Sequence, residues 1–200
     1  MLIDEQMPQW EQHVVRAEPV DAAPQTTYDA IRRIDFFDSP VVGVPNRVRV
    51  IPEQAARWAR GQPPVRHPEH FTFEQLLDNG FHLLADDPGR EIVLGFIGRW
   101  WQRDFGRVDW APADFRAFQL PGYAVGAWSF AVLPYGDRAS VLVTEVRLRC
   151  TDEAARRAFG RYFTVTGPFI KAMGRPVLRL VRREAERPAK ATESATGRPR

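Results

Sequence analysis

The sequence predicts an α+β fold in which a curved antiparallel sheet grips one long helix near the end of the chain. Two observations lead to this prediction. Residues 81–150 contain strand-like runs separated by short turns, and residues 151–187 carry apolar side chains at helical spacing. A sheet with one apolar face needs a cover, and only the last helix is long enough to lie across the whole of it.

The composition is that of an ordinary globular protein. The chain has 200 residues, of which 44% are hydrophobic and 26% charged. The single Cys150 excludes an internal disulfide framework and a cysteine-rich zinc site, and it favours a reducing compartment. No apolar run approaches the roughly 20 residues that span a bilayer, and the acidic start "MLIDEQMPQW" is not typical of a secretory signal. We therefore expect one cytoplasmic domain over residues 1–187, without stable membrane insertion, and a disordered tail over 188–200.

The net charge of +3 raises the question of nucleic-acid binding. The basic residues are almost all arginine and are interleaved with acids along the chain. Two dense basic runs, over 156–161 and 179–187, lie on the predicted last helix opposite its apolar face. The favoured interpretation is a solvated helix face with no nucleic-acid partner, and a strip that contacts phosphates is the alternative.

The first half of the chain predicts one strand and two short helices. Residues 1–9 are expected to form a loose lead-in, and residues 11–20 resemble a strand. Tyr28, Ile31 and Ile34 follow at helical spacing, which predicts a helix over 22–36. A proline at the start, alanines inside and a glycine at the end predict a short helix over 52–61, and residues 62–70 form a proline-rich connection.

The middle of the chain predicts a set of antiparallel strands. Two runs, over 81–86 and 91–101, flank a Pro-Gly turn and predict a hairpin. Further strands are expected over 114–122, 123–134 and 139–150, the last two antiparallel to each other. Alternation in the final strand predicts one buried face and one wet face, the buried one carrying Leu142, Thr144, Val146 and Leu148.

The last helix contains an unusual stretch, "GPFIKAMGRP" (167–176), inside its apolar stripe. The helix is predicted to start at Thr151 as its N-cap, and its stripe continues through these helix breakers. Pro168 is expected to bend the helix, and Gly167 and Gly174 remove side-chain bulk beside the bend. The bend either makes room for a ligand or wraps the helix around a convex core.

This order of elements resembles the helix-grip fold of the START-like superfamily, often labelled SRPBCC. Two stretches carry the resemblance, which spans residues 11–187: "EIVLGFIGRWW" (91–101), and the last strand running into the long helix, "TEVRLRCTDEAARRAFGRYFTVTGPFIKAMGRPVLRLVRREAE" (144–186). The superfamily includes lipid-transfer domains, allergen-type ligand binders, aromatic polyketide cyclases and small bacterial members without an assigned activity. The resemblance implies a ligand cavity between the sheet and the last helix.

We therefore expect the protein to bind a small apolar or amphipathic ligand, lipid-like or polyketide-like, without a cofactor or a metal. The first alternative is a cyclase or dehydratase, which needs an ionisable group in the cavity. The second is a domain whose core is filled and takes no ligand. Expected neighbours of the cavity, chosen by strand face and helical stripe, are Trp100, Phe118, Trp128, Phe130, Thr144, Phe163, Thr166, Ile170 and Met173.

The polar candidates are few. Glu145, Arg147 and Tyr162 are the only good candidates for acid–base work in a cavity. Because Glu145 and Arg147 share the face opposite Leu142, the favoured interpretation is a surface ion pair that contributes less than ~1 kcal/mol. In the alternative they line the cavity and orient a ligand.

The histidines do not predict a metal centre. His67, Glu69 and His70 lie close together in "RHPEH", but the stretch is proline-rich and lacks the spacing and further ligands of a zinc site. His13 and His82 lie in predicted strands, where a structural role is the commoner one.

Overall fold

The computed structural model describes residues 1–39, 70–102 and 105–187, with residues 169 and 170 as backbone only. Within these ranges, five strands form one antiparallel sheet in the order β1-β5-β4-β3-β2. The strands are β1 (Gln12–Val20), β2 (Phe81–Asp87), β3 (Glu91–Gly98), β4 (Ala124–Tyr135) and β5 (Ala139–Cys150). Pro19 lies in β1, an edge strand, where a missing N–H disrupts no inner pairing.

Helices pack on this sheet from both sides. They are α1 (Leu2–Gln6), α2 (Pro24–Arg33), α3 (Phe73–Asp78) and α4 (Glu153–Ala185), with short 3-10 turns at Phe36–Asp38 and Pro112–Asp114. Helix α4 has 33 residues, contains Pro168 and Pro176, and packs against β1, β4 and β5. The predicted α+β architecture, an antiparallel sheet with one long helix across it, is confirmed.

The two predicted hairpins are confirmed. β2 pairs with β3 up to Asp87 opposite Glu91, and β4 pairs with β5 up to Tyr135 opposite Ala139. Each turn places a glycine in the left-handed region, where a residue with a Cβ is strained; Gly89 has φ +82°. The registers bring alternate residues of β3, β4 and β5 onto common faces.

One face of the sheet, here called the inner face, packs against α2 and α4. Leu94, Phe130 and Leu142 lie on it and are fully buried beneath Leu178 and Val181 of α4. Further along α4, a second apolar cluster joins Phe159 and Phe163 of the helix to Leu148 and Cys150 of β5. The predicted buried face of β5 is therefore the inner face.

The opposite face, here called the outer face, is also covered. Ile3 and Met7 pack with Phe115 against Val93 and Val125 of the sheet. The expectation of a wet face is therefore wrong, because the start of the chain and residues 108–123 fold over it. A strand pattern reports which side chains share a face, but it does not report what later covers them.

Helix α1 corrects the expectation of a loose lead-in over 1–9. The Glu91 carboxylate of β3 accepts hydrogen bonds from the backbone N–H groups of Leu2, at 2.6 Å, and Ile3, at 3.2 Å. An acidic group at a helix N-terminus satisfies N–H groups that have no partner within the helix. Glu91, the first residue of "EIVLGFIGRWW", therefore fastens α1 to the sheet.

Two further expectations are wrong. Residues 114–122 form no strand; a 3-10 turn at Pro112–Asp114 is followed by turns. The N-cap of α4 is Asp152 rather than Thr151, because Asp152 Oδ1 accepts the Ala155 N–H at 2.7 Å, a bond that lowers the pKa of Asp152. The expected helix over 52–61, the connection over 62–70 (His70 excepted) and the tail over 188–200 lie outside the described residues.

Candidate ligand-binding cavity

A cavity of about 450 Å³ lies between the inner face and α4, where the two apolar clusters of that face meet. Its volume is within the range of small-molecule sites, roughly 300–1,000 Å³. All five strands contribute to it, together with α4 and the segments that precede β2 and follow β3. The principal lining residues are Val14, Arg16, Phe81, Phe96, Trp100, Arg107, Trp128, Thr144, Val146, Phe159, Tyr162, Met173, Gly174 and Val177.

Aromatic rings form a continuous wall around the cavity. The ring centroids of Phe81 and Phe96 are 4.8 Å apart, and those of Phe96 and Trp100 are 5.2 Å apart. Trp100 in turn meets Phe159 of α4 edge-on at 5.8 Å. These spacings are typical of packed aromatic pairs, so the wall is preformed.

Two glycines make this wall possible. A Cβ on Gly126 would lie 2.3 Å from Phe96 Cζ, and a Cβ on Gly98 would lie 2.7 Å from Trp100 Nε1. Neither ring could keep its position beside an alanine. Glycine inside a strand often marks such a close approach, and here it lets Phe96 lie across β4.

The polar groups at the inner face are mostly satisfied within the protein. Thr144 donates its hydroxyl proton to the Ser129 carbonyl at 3.0 Å and accepts the Trp128 indole N–H at 2.7 Å. Trp128 therefore presents an apolar ring to the cavity rather than a hydrogen-bond donor. The hydroxyl of Tyr162 has no hydrogen-bond partner among the described residues.

Arg16 of β1 brings a positive charge to the cavity. Its guanidinium donates to the Val15 carbonyl at 2.7 Å and to the Lys171 carbonyl of α4 at 3.5 Å. A Cβ on Gly174 would lie 3.0 Å from Arg16 Cγ. The second glycine of "GPFIKAMGRP" therefore leaves room for the stem of Arg16, whereas the nearest atoms to a Cβ on Gly167 would be those of Phe163 on its own helix.

The charged residues that are described in the lining of the cavity are all basic. Arg16 and the exposed Arg107 line it, and no aspartate, glutamate, histidine or cysteine does so within residues 1–39, 70–102 and 105–187. Proton transfer by a carboxylate or an imidazole therefore has no candidate group among the lining residues that are described.

Four of the residues expected to surround the cavity line it: Trp100, Trp128, Thr144 and Met173. Phe130 lies deeper, fully buried against Trp128, and Phe163 packs against Phe159. The hydroxyl of Thr166 donates to the Tyr162 carbonyl, one turn back in α4, at 2.9 Å. The side chain of Ile170 lies outside the described residues.

Phe118 does not lie near the cavity. It packs in the outer-face cluster with Ile3 and Val125, and its ring meets Tyr123 edge-on at 5.7 Å. The expectation failed because it rested on a strand over 114–122, whereas this segment crosses the outer face as turns.

Glu145 and Arg147 also lie on the outer face, but they are buried rather than exposed. Arg147 donates to the Glu145 carboxylate, to Asp4 Oδ1 at 2.6 Å and to the Met7 carbonyl at 2.8 Å. Glu145 also bonds His13 Nε2 at 2.8 Å. The structure agrees with the favoured interpretation that the pair faces away from the cavity. The expectation that the pair is exposed was wrong, because the start of the chain covers it.

Phe81, Phe96 and Arg16 line the cavity but were not expected from the sequence. Phe96 and Leu94 are two positions apart and lie on the same inner face of β3. The alternation of this strand therefore contained the information that Phe96 faces the helix side. Arg16 required the register of β1 on β5, which places it opposite Thr144. No local pattern reveals that pairing.

No group of three or more potential metal ligands occurs in the described part of the chain. His70 pairs with Asp35 at 2.6 Å and His82 packs on Trp110, while His67 and Glu69 lie outside the described residues.

A second depression, of about 630 Å³, lies on the side of the outer face. Arg116, Arg149 and Arg156 line it, and Arg156 pairs with Glu11 at 2.7 Å. Most of its lining side chains are exposed, so it is an open polar groove. The apolar cavity under α4 is the stronger candidate for a small-molecule site.

No protein-family model and no curated protein matches the sequence. Solved structures similar to this chain include norcoclaurine synthase from Thalictrum flavum, with 11% identity over 85% of this chain and 92% of that one and a TM-score of 0.37. The di-domain aromatase/cyclase BexL matches with 17% identity over 94% of this chain and 51% of that one, and a TM-score of 0.34. The aromatase/cyclase Zhui from Streptomyces sp. R1128 matches with 13% identity over 88% and 96%, and a TM-score of 0.31.

At these identities and TM-scores the matches carry no argument about activity. None of the helices described is both long and apolar enough to cross a bilayer. The fold conclusion rests on the chain itself: the strand order β1-β5-β4-β3-β2 and the 33-residue helix across the inner face. The chain has the helix-grip fold of START-like proteins, as its sequence predicted.

Proposed function

We propose that the protein binds a small apolar or amphipathic ligand in the cavity between the inner face and α4. The observation that supports this proposal is the cavity of about 450 Å³ with its aromatic wall. At roughly 30 Å³ per atom, the volume share of a water molecule, such a cavity holds about 15 non-hydrogen atoms. A lipid chain of ten to twelve carbons, or a bicyclic aromatic compound, has this size.

Apolar burial supplies much of the binding free energy. About ten methylene groups gain about 8 kcal/mol on burial, at roughly 0.8 kcal/mol each. Association costs about 4–15 kcal/mol in lost freedom. The two quantities are of similar size, so a purely apolar ligand is expected to bind weakly and a polar anchor would matter.

The cyclase or dehydratase alternative keeps one candidate residue. Glu145 and Arg147 are turned to the outer face, which leaves Tyr162 as the only member of the original set beside the cavity. Its hydroxyl, without a partner in the described ranges, supports a role in orienting a substrate. The filled-core alternative is disfavoured by the cavity itself.

Binding is tested with the neutral fluorescent probe N-phenyl-1-naphthylamine and two matched variants. Val146→Phe places a larger side chain in the cavity, whereas Val15→Phe makes the same change on the outer face of β1, where Val15 is 39% exposed. We expect wild type and Val15→Phe to bind the probe with equal affinity and Val146→Phe to bind it at least tenfold more weakly.

Native mass spectrometry of freshly purified protein complements the titration, because a discrete excess mass lost on denaturation identifies a natural ligand. Equal probe affinity in Val146→Phe, with unfolding curves that show both variants folded, would contradict the proposal. So would the absence of both probe binding and excess mass in wild type.

A further inference from the structure

We propose that the ligand is an amphipathic anion whose acidic head group contacts Arg16 while its apolar body lies against Phe96 and Trp128. This inference rests on the proposed function and specifies its ligand class. Three features of the cavity support it.

The first feature is the hydrogen bonding of Arg16. A guanidinium carries five N–H donors, and those of Arg16 meet only two backbone carbonyls in the described part of the chain, one of them at 3.5 Å. The nearest acid on the same side of β1 is Glu18, which already pairs with Arg182 of α4 at 3.2 Å. Arg16 is thus a half-buried cation with donors left for a ligand.

The second feature is the charge balance of the cavity. Arg16 and Arg107 line it, and no carboxylate lies within 4 Å of either one among the residues described. A cation beside an apolar cavity attracts an anionic ligand, and it disfavours a cationic one because like charges repel. Several arginines elsewhere in the described part of the chain do pair with acids; Arg156, for example, bonds both Glu11 and Glu153.

The third feature is the shape of α4 around Arg16. Because Gly174 has no side chain, the stem of Arg16 passes close to the helix backbone, and the guanidinium reaches the Lys171 carbonyl. The side chain is thereby held between β1 and α4. A guanidinium that is held in place loses less conformational freedom when it binds an oxyanion.

Carboxylates and phosphate monoesters share the oxyanion geometry that a guanidinium binds through two parallel hydrogen bonds. The experiment therefore compares decanoate and decyl phosphate with decanol, which has the same chain and no charge. Each compound competes with N-phenyl-1-naphthylamine at pH 8, on wild type, Arg16→Met, Arg107→Met and, as a control, Arg138→Met. Arg138 is exposed in the turn between β4 and β5.

We expect at least one anion to displace the probe at a concentration about tenfold lower than decanol does in wild type and in Arg138→Met. In Arg16→Met this ratio falls to about one while the variant still binds the probe, which also shows that the variant is folded. The anion with the larger ratio identifies the head group.

Equal competition by decanol and both anions in wild type would overturn the inference and leave the proposed function standing. A preference that survives in Arg16→Met and disappears in Arg107→Met would overturn the assignment to Arg16. Failure of decanol, the anions and the probe to bind at all would overturn the proposed function together with this inference.

Discussion

The buried ion pair on the outer face should be essential for stability and dispensable for ligand binding. Arg147 is 6% exposed and Glu145 is 7% exposed, and Arg147 has three hydrogen-bonded partners. Its guanidinium also lies 4.1 Å from the centre of the Trp10 ring. The substitution Arg147→Met keeps most of the apolar stem and removes the charge and every donor.

The loss of stability in Arg147→Met depends on the partners that Glu145 keeps. Among the described residues, Glu145 then keeps one side-chain partner, His13, at 2.8 Å, whose side chain is 37% exposed. Breaking a buried ion pair by removing one partner costs about 3–5 kcal/mol of unfolding free energy. Because His13 still bonds the Glu145 carboxylate, the expected loss is about 3 kcal/mol, at the lower end of this range. With a urea m-value of about 2 kcal/mol per molar, the unfolding midpoint should fall by about 1.5 M.

The assay is urea unfolding of wild type, Arg147→Met and the double variant Glu145→Leu/Arg147→Met, with Arg138→Met as an exposed control. The double variant should be more stable than Arg147→Met, because no carboxylate is left buried without its partner. Probe affinity should be unchanged in all three variants, since the pair lies on the far side of the sheet from the cavity. A midpoint shift below about 0.3 M for Arg147→Met would refute the reasoning.

Three further predictions concern single residues. Burial, with a hydrogen bond to a carboxylate, raises the pKa of Tyr28 from 10.0 to about 12. The stability that the neutral hydroxyl contributes is therefore present below pH 10 and is lost as pH rises through 12. The unfolding free energy of Tyr28→Phe should vary less with pH over that range than that of wild type. Burial raises the pKa of the Cys150 thiol to about 12, so a disulfide reagent at pH 8 should react slowly with native protein and rapidly in urea; fast native labelling would contradict the burial. Gly126→Ala should cost about 1–3 kcal/mol and weaken probe binding by displacing Phe96. Gly160→Ala, whose new Cβ meets no described residue within 4 Å, should stabilise α4 by about 0.5–1 kcal/mol. Equal stability of the two variants would rule this out.

Much of the sheet could be predicted because its signals are local. The hairpins follow from Pro-Gly and Gly-Asp turns between alternating runs, and the inner face of β5 follows from Leu142, Val146 and Leu148. The length of α4 follows from an apolar stripe that two prolines do not interrupt. In each case residues close in sequence specify both the element and its buried side.

The errors have other physical origins. The outer face carries Glu145 and Arg147 and resembles a wet surface, yet α1 and residues 108–123 cover it. Helix α1 is fastened through Glu91, 88 and 89 positions away from the residues it bonds, and no window of the chain records such a contact. Phe118 was misplaced because residues 114–122 form turns rather than the expected strand.

The candidate site could be predicted in part. Of the expected residues that line the cavity, Trp128, Thr144 and Met173 lie on strands or the helix whose inner side follows from local periodicity, and Trp100 lies in the turn that follows β3. Arg16 was not found, because its position depends on β1 pairing with β5 and on Gly174 of α4. The polar character of the site therefore depends on long-range register rather than on local composition.

The pairing of β1 with β5 also has a kinetic consequence. His13 and Glu145 are 132 positions apart, and Asp4 and Arg147 are 143 apart. A ribosome adding about 5–20 residues per second needs roughly 7 to 29 seconds to make the intervening chain, during which β1 has no partner strand. The loop that must close is long, so this docking is expected to come late in folding, after the local hairpins. The same late step brings Arg16 to the cavity on one face of the sheet and buries Arg147 on the other.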